Sequence, residues 1–504
     1  MAAGTVLCLL VVSSSVVQVT MAAGRGPPAM FVFGDSTLDV GNNNYLPGPG
    51  VPRANKPYYG IDFPGSVATG RFSNGYNMAD YLAKSMGFAA SPPPYLSLAR
   101  STGRLVQAAV GGGVSYASAG AGILDSTNEG NNIPLSKQVQ YFKSTKNQLV
   151  AKLGPRAANL LLAKSVFLFS VGSNDLFVFA ADELLQNKSS AAQCRDVAAL
   201  YAGLVSGYSA AVRGLHALGA RKFAAINVGL LGCVPAVRLL DASGAGACAA
   251  ELNHLASGLD GALDAMFAGL AARLPGFAYS LADYYGLSAA TFDDPAAVGY
   301  TDIARACCGG GRLGAEADCS PDVTVCADRD RHAFWDAVHP SQKGAMLTAQ
   351  NFYDSRPGRY TSPVNFKQLA QTAPPPCLPP FSLLAAAGAG PPEARAAARR
   401  AAAGRNHLDP PRAARPDLLR RQRRRLPRPG RQAVAAASHG RSGASGNDGA
   451  RARTPGSGAA AAAAVEAPRE AGVPCGRSGG NPVGWSRQQR RRVGRRGPGA
   501  AVAI

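Results

Sequence analysis

The fold of this chain is decided by residues 31–45, which read FVFGDSTLDVGNNNY. The apolar run at the start of this stretch is typical of a short strand that is covered on both faces. Gly34 permits a tight turn directly after the strand, so Ser36 lies at the carboxyl edge of the predicted sheet. A helix beginning just after this turn would point its amides at the hydroxyl and favour negative charge there. Because open α/β sheets have their active sites at this edge, Ser36 is the first candidate catalytic residue.

Short apolar runs alternate with longer helical patterns through residues 24–371, which predicts one α/β domain. The predicted strands are Met30–Phe33, Val114–Ala117, Val166–Val171, Lys222–Val228 and Phe277–Leu281. The predicted helices are Asn77–Met86, Ser136–Leu153, Ala191–Leu218 and Ala249–Leu274. This alternation indicates a parallel sheet with helices on both sides, so the residues that follow each strand are the ones to search for chemistry.

Two further strands are followed by groups that could bind a negatively charged oxygen. After the third strand comes Asn174, whose side-chain amide could donate to an oxyanion or could simply cap the next helix. After the second strand come Ala119 and Gly120, where a backbone N–H could be a further oxyanion donor. A tight loop with no ligand is the alternative for these small residues.

A candidate base lies near the end of the domain, where residues 335–340 read WDAVHP. Asp336 and His339 are three positions apart, so the carboxylate can accept from Nδ1 while Nε2 remains free to take a proton from a serine. Pro340 would stiffen the following turn. Among the six histidines His332 is the runner-up, because it follows the acidic residues Asp328 and Asp330.

Charge and composition separate the chain into parts. The formal net charge of +21 comes mostly from residues 372–504, which contain 24 Arg and 6 acidic residues, while the domain before them is nearly neutral. A nearly neutral domain gives no electrostatic reason to expect a nucleic-acid partner. We expect the Arg-, Ala-, Gly- and Pro-rich tail to be disordered. Two alternatives explain this composition. The tail could bind an anionic partner, such as a nucleic acid, or it could be non-coding sequence that has been translated.

The N-terminus and the cysteines favour secretion. Residues 1–23 resemble a cleavable signal peptide with a short apolar run, although no Lys or Arg precedes that run, and no later segment predicts a membrane helix. Ten cysteines fit an oxidising compartment. With Cys8, Cys377 and Cys475 set aside, an odd number remains, which predicts a free thiol or an intermolecular partner. The remaining seven are Cys194, Cys233, Cys248, Cys307, Cys308, Cys319 and Cys326. The last four could alternatively bind zinc, but their spacing favours disulfides.

Taken together, these blocks resemble the plant GDSL esterase/lipase family of SGNH hydrolases over roughly residues 28–371. Stretches at residues 70–75, 229–235, 306–309 and 363–369 are similar to the plant branch in particular. The resemblance implies a flavodoxin-like three-layer α/β/α sandwich with a five-stranded parallel sheet. The sequence departs from the family pattern at Thr37, the fourth residue of the GDSL signature, and at Ala119, where the family often has a glycine.

The resemblance also implies a site and an activity. Ser36 would be the nucleophile, His339 the base and Asp336 its orienting partner. The oxyanion hole would comprise the Ser36 amide, the Asn174 side chain and an amide at Ala119 or Gly120. It implies a secreted carboxylic ester hydrolase of the apoplast or cell wall that acts on lipid or small acyl esters without metal or organic cofactor. A polysaccharide acetylesterase and an inactive secreted binding protein are the alternatives, and Asn187 begins a candidate glycosylation sequon.

Overall fold

The computed structural model describes residues 26–186 and 188–373. The predicted signal peptide, Asn187 and all but the first two residues of the predicted tail lie outside the described residues. The strands are β1 (Met30–Gly34), β2 (Gly113–Ser115), β3 (Val166–Ser170), β4 (Lys222–Ile226), β5 (Ala278–Ala282), β6 (Asp302–Ala306), β7 (His332–Phe334) and β8 (Thr361–Ser362).

The α-helices alternate with the strands of the main sheet. They are α1 (Met78–Ser85), α2 (Tyr95–Leu98), α3 (Thr102–Gly111), α4 (Leu135–Leu153), α5 (Pro155–Lys164), α6 (Ser173–Leu185), α7 (Ser190–Ala217), α8 (Pro235–Arg238), α9 (Ala250–Arg273), α10 (Tyr284–Asp293), α11 (Gln342–Asp354) and α12 (Phe366–Gln371). The first predicted helix begins where its capping box lies, because Asn77 accepts from the N–H of Asp80 and Asp80 accepts from the N–H of Asn77.

Five parallel strands form the central sheet in the order β2-β1-β3-β4-β5, which confirms the predicted sheet. This is the flavodoxin-like order, in which β1 lies between β2 and β3 at the switch point. The carboxyl ends of these three strands therefore meet. The sheet also has a sixth strand that was not predicted, because β8 is only two residues long and pairs antiparallel with β5. β6 and β7 form a separate two-stranded parallel sheet.

Helices cover both faces of the sheet, which confirms the three-layer architecture. Phe31 and Phe33 of β1 point to the face covered by α3, α4, α5, α6, α7 and α9. Met30 and Val32 point to the opposite face, where α1, α11 and α12 pack. Each fully buried apolar side chain contributes roughly 1.5–3 kcal/mol to the stability of the fold. Side chains on both faces of β1 are buried, which explains why the strand is apolar throughout.

The helix α9, predicted as Ala249–Leu274, is the one described helix that is long and apolar enough to cross a membrane by length and composition, whereas the sequence analysis predicted no membrane helix. It packs against the core with ten buried residues, among them Leu259, Phe267 and the polar Asp260. The buried residues recur every three or four positions and form one stripe, which is typical of a helix that packs with one face on the core of a globular domain.

Disulfide bonds join all the cysteines of the described residues. Three bonds connect Cys233 to Cys248, Cys307 to Cys326, and Cys308 to Cys319. The last two bonds use the four sulfurs of the alternative zinc site, so that alternative is wrong. Cys194 is disulfide-bonded as well. The prediction of a free thiol among the seven is therefore also wrong.

Candidate active site

Ser36 lies directly after the central strand β1, in a turn that the neighbouring strand β3 shapes. The N–H of Asp35 donates to the Ser170 carbonyl at 3.0 Å and extends the pairing of the strands. A Cβ on Gly34 would lie 2.2 Å from the same carbonyl oxygen, and Gly34 has φ of 151°, so the position requires glycine. No α-helix begins directly after Ser36 in the described residues, since a single turn closes at Asp35 before the short 3₁₀ helix Asn42–Tyr45.

A tight loop after β7 presents the histidine. Phe334 and Pro340 form a bridge at its base, and the N–H of Trp335 donates to the carbonyl of His339 at 2.8 Å. Within the loop, Asp336 Oδ1 accepts the backbone N–H groups of Val338 and His339 at 2.9 and 2.7 Å. These two backbone hydrogen bonds therefore fix the Asp336 carboxylate beside the imidazole of His339, which Asp336 was predicted to orient.

The structure brings Ser36, His339 and Asp336 into one hydrogen-bonded chain. His339 Nδ1 lies 2.9 and 2.8 Å from the two oxygens of Asp336, and Nε2 lies 2.8 Å from Ser36 Oγ. Because the carboxylate can only accept, Nδ1 donates and Nε2 is left to accept from the hydroxyl. Burial raises the pKa of Asp336, but His339 and the backbone donors outweigh it and lower that pKa below the usual value. This arrangement can move a proton from a hydroxyl to an imidazole.

Tyr59 is a contact of this chain that the sequence did not reveal. Its hydroxyl donates to Asp336 Oδ2 at 2.8 Å across 277 positions of sequence. Its ring lies edge-on to Phe72, with centroids 5.7 Å apart, and the Phe72 ring lies 4.8 Å from that of His339. Burial and the nearby Asp336 raise the pKa of Tyr59 well above its usual value, so the phenol remains a donor.

The other candidate histidine lies elsewhere. His332 Nδ1 lies 3.0 Å from the carbonyl oxygen of Asp328, and its Nε2 is 3.9 Å from the carboxylate of Asp302. In the described residues it is also the histidine of the one group with metal-ligand chemistry, together with Cys307 and Cys326. Those two sulfurs form a disulfide and have no thiolate to offer a metal.

The two predicted backbone donors after β2 differ in what they contact. The N–H of Ala119 donates to Asp39 Oδ2 at 3.1 Å, so this amide is not free to bind an oxyanion, and the Ala119 prediction is corrected. The N–H of Gly120 makes no hydrogen bond within the described part of the chain. Gly120 has φ of 80°, and its carbonyl accepts from Asn128 Nδ2 at 3.0 Å.

Asn174 follows β3 as the second residue of α6, where it does not cap the helix. The N-cap is Gly172, so the capping alternative is wrong. Asn174 Nδ2 donates one hydrogen to the Ala121 carbonyl at 3.0 Å, and this bond fixes the direction of the second hydrogen. The next residue, Asp175, accepts from the N–H groups of Ile123 and Leu124 at 2.8 and 3.0 Å. The start of α6 thus anchors the loop that contains Gly120.

Two buried carboxyl groups lie beneath this edge of the sheet. Asp35 accepts from the N–H and hydroxyl of Thr37 at 3.0 and 2.7 Å. Asp39 accepts from the N–H groups of Gly41 and Asn42, both at 2.7 Å. Burial raises the pKa of each carboxyl to about 6, although these hydrogen bonds oppose the shift. Both carboxyl groups therefore organise the turn around Ser36 through hydrogen bonds.

Comparison with known proteins agrees with this geometry. The GDSL-like lipase/acylhydrolase family model matches residues 30–352. GDSL esterase/lipase At5g55050 of Arabidopsis thaliana is 38% identical over 68% of this chain and 90% of its own length. Two more Arabidopsis thaliana proteins, GDSL esterase/lipase At1g71250 and GDSL esterase/lipase 7, are 36% and 34% identical over 73% and 68% of this chain and 96% and 92% of their own lengths. The chain therefore belongs to the GDSL esterase/lipase family and is a hydrolase that acts on esters.

Proposed function

We propose that the protein is a serine esterase that hydrolyses carboxylic esters of lipids or small acyl groups, with Ser36 as its nucleophile. The 2.8 Å contact between Ser36 Oγ and His339 Nε2 is the observation that carries the proposal. His339 takes the proton of Ser36, and the alkoxide attacks the ester carbonyl. His339 then returns the proton to the leaving alcohol, and water activated by His339 hydrolyses the acyl-enzyme. Asp336 stabilises the imidazolium that forms in each step.

The oxyanion of the tetrahedral intermediate is bound by three donors in this proposal. They are the N–H of Ser36, the N–H of Gly120 and the second hydrogen of Asn174 Nδ2. Two observations support this assignment. Asp39 engages the N–H of Ala119 and not that of Gly120, and the Ala121 carbonyl orients the side-chain amide of Asn174. Such donors act without reorganisation when neighbouring contacts have already fixed their positions.

We further propose that the protein is secreted to the apoplast or cell wall. The three disulfides between described cysteines support this, since such bonds persist in oxidising compartments. The test compares a full-length fusion with one lacking residues 2–23, followed in cells and medium. Retention of both fusions in cells would contradict secretion. A mobility shift after glycosidase treatment of the secreted protein, lost in Asn187→Gln, would support glycosylation.

The direct test of the enzymatic proposal is Ser36→Ala. Hydrolysis of a short p-nitrophenyl ester should fall to the uncatalysed background, because no other hydroxyl reaches His339 Nε2 in the described structure. Ser136→Ala is the matched control, because Ser136 is exposed and donates only to Asp125. Turnover retained by Ser36→Ala would overturn the nucleophile assignment.

The choice of substrate needs a panel. Esters of graded acyl length, tested beside acetylated xylan, separate a lipid or small-ester hydrolase from a polysaccharide acetylesterase. Hydrolysis of acetylated xylan alone would favour the acetylesterase. An intact protein that turns over none of these esters and resists a fluorophosphonate probe would favour the inactive binding protein instead.

A further inference from the structure

The carboxylate of Asp336 receives donors on both oxygens, and one of them comes from a distant loop. Oδ1 accepts the N–H groups of Val338 and His339, and both oxygens lie within 2.9 Å of His339 Nδ1. Oδ2 has one further donor, the Tyr59 hydroxyl at 2.8 Å. Asp336 and Tyr59 are only 6% and 8% exposed. Without the phenol, Oδ2 would face the buried interior with the imidazole as its only partner.

We propose that Tyr59 is a positioning residue for ester hydrolysis, whose hydroxyl holds the Asp336 carboxylate against the imidazole of His339. The inference rests on the proposed function, because it gives His339 the part of the base. Donors on both oxygens stop the carboxylate from rotating about its Cβ–Cγ bond. A fixed carboxylate in turn fixes the imidazole that faces Ser36.

The Tyr59 loop is attached to the framework that carries His339. The N–H of Gly60 donates to the Ser73 carbonyl at 2.9 Å, which closes the loop at its base. Asp62 accepts two hydrogen bonds of 2.6 Å from Arg329, which lies just before β7. Asn74 Oδ1 accepts from the N–H of Gln342 at 2.7 Å, at the start of α11. The loop is therefore bound on both sides of the segment that presents the histidine.

Packing confines the Tyr59 ring as well as its hydroxyl. The ring lies edge-on to Phe72 on one side and to the fully buried Trp335 on the other, with centroids 5.7 and 6.4 Å away. Trp335 is the residue directly before Asp336. The substitution Tyr59→Phe would retain these ring contacts and remove only the hydroxyl donor. It therefore tests the hydrogen bond to Asp336 separately from the packing of the ring.

The expected electrostatic effect follows from the charges around the pair. The phenol neutralises part of the carboxylate charge, so its removal leaves a more negative potential at Nδ1, which favours imidazolium. The other titratable groups that face this pair are Asp35 beneath Ser36 and Asp318, which acts on Tyr59. Both are acidic, so neither opposes the change. The pH dependence of ester hydrolysis should therefore change when the hydroxyl is absent.

The test is the pH dependence of kcat/KM for Tyr59→Phe with a p-nitrophenyl ester. We expect the acidic limb of the profile to move upward by ~0.5–1 pH unit, and kcat to fall about tenfold with KM within about twofold of wild type. The matched control is Tyr58→Phe, because the Tyr58 hydroxyl donates to the Pro321 carbonyl at 3.2 Å in an exposed position. This control should follow the wild-type profile.

Two further measurements separate the possible failures. If His339→Ala retains activity, the proposed function is wrong, whatever Tyr59→Phe does. If His339→Ala is inactive and the Tyr59→Phe profile coincides with wild type, the positioning inference is wrong while the function stands. The pH dependence of the rate constant for fluorophosphonate inactivation should show the same shift. That rate constant is independent of the fraction of folded protein, so partial misfolding of Tyr59→Phe would not obscure the result.

Discussion

The side chain of Asn174 is oriented by one hydrogen bond and retains a second amide hydrogen that can donate to an oxyanion. One hydrogen of its amide is engaged by the Ala121 carbonyl, and the amide is only 7% exposed. The residue was predicted from its position after a strand, a rule that needs no knowledge of contacts. The contact itself could not be predicted, because the Ala121 carbonyl comes from a loop 53 residues earlier.

At this scale we predict the effect of Asn174→Ala. Removal of one oxyanion donor should lower kcat by roughly 10²–10³ and change KM little, because the donor acts mainly on the transition state. Steady-state kinetics with a short ester measures both constants. The control is Asn128→Ala, which removes the loop hydrogen bond to the Gly120 carbonyl without removing an oxyanion donor. Equal, small losses in both variants would mean that Asn174 only supports the loop.

Asp39 links the Ser36 turn to the loop after β2. Its Oδ2 accepts the N–H of Ala119, and its Oδ1 accepts two amides of its own turn. In Asp39→Asn an amide nitrogen, which cannot accept, replaces one of these oxygens. Either the Ala119 N–H or the two amides of the turn then lose their acceptor, so the loop that carries Gly120 should lose its register. We expect kcat to fall about tenfold or more and a phosphonate transition-state analogue to bind more weakly by a similar factor. Unchanged binding of the analogue would show that Asp39 does not set the oxyanion hole.

At the scale of elements, the prediction succeeded where a feature depends on local pattern. The five parallel strands lie within a few residues of their expected positions, because each is a short apolar run covered on both faces. β6, β7 and β8 were missed, since two to five residues with partly exposed positions carry no such pattern. Of the helices, only α1, α4, α7 and α9 were predicted. Tyr59 escaped prediction for another reason, since only the folded chain brings its loop to Asp336.

The disulfide-bonded segment between β6 and β7 supports the histidine loop. The N–H groups of Cys307 and Cys308 donate to the carbonyls of Phe334 and Trp335 at 3.1 and 2.7 Å. For the pair Cys308→Ser and Cys319→Ser, we expect the free energy of unfolding to fall by roughly 3 kcal/mol, because the open chain regains the entropy of an 11-residue loop. Urea unfolding measures this change. If the midpoint and the slope of the urea unfolding curve are the same in the double variant and the wild type, the bond between Cys308 and Cys319 does not stabilise the fold as we propose.

At the scale of the whole molecule, buried carboxyl groups should make stability depend on pH. Asp260 is the strongest case, since its Oδ1 accepts from the Val228 N–H at 2.9 Å while Oδ2 has no partner in the described residues. Burial raises its pKa to about 8, with a smaller contribution from Asp283. The folded chain therefore retains a proton that the unfolded chain releases above pH ~4. Its contribution to stability is complete at low pH and is lost as the pH rises through about 8.

We predict that Asp260→Asn gains stability relative to wild type as the pH rises from 5 to 8. The amide keeps an oxygen for the Val228 N–H and has no charge to bury. Comparison of the two proteins by urea unfolding at each pH cancels the shared contributions of Asp35 and Asp39, whose pKa values are also raised. A difference in the free energy of unfolding that stays constant across this range would contradict the raised pKa of Asp260.

Covalent labelling with a fluorophosphonate, followed by mass spectrometry of the peptides, identifies the nucleophile and tests its dependence on His339. We expect one adduct, on Ser36, that forms rapidly in wild type and at least a hundredfold more slowly in His339→Ala, because a general base contributes a factor of roughly 10²–10⁴. An adduct on a different serine in protein that hydrolyses esters would contradict the account, and so would equally fast labelling of Ser36 without His339.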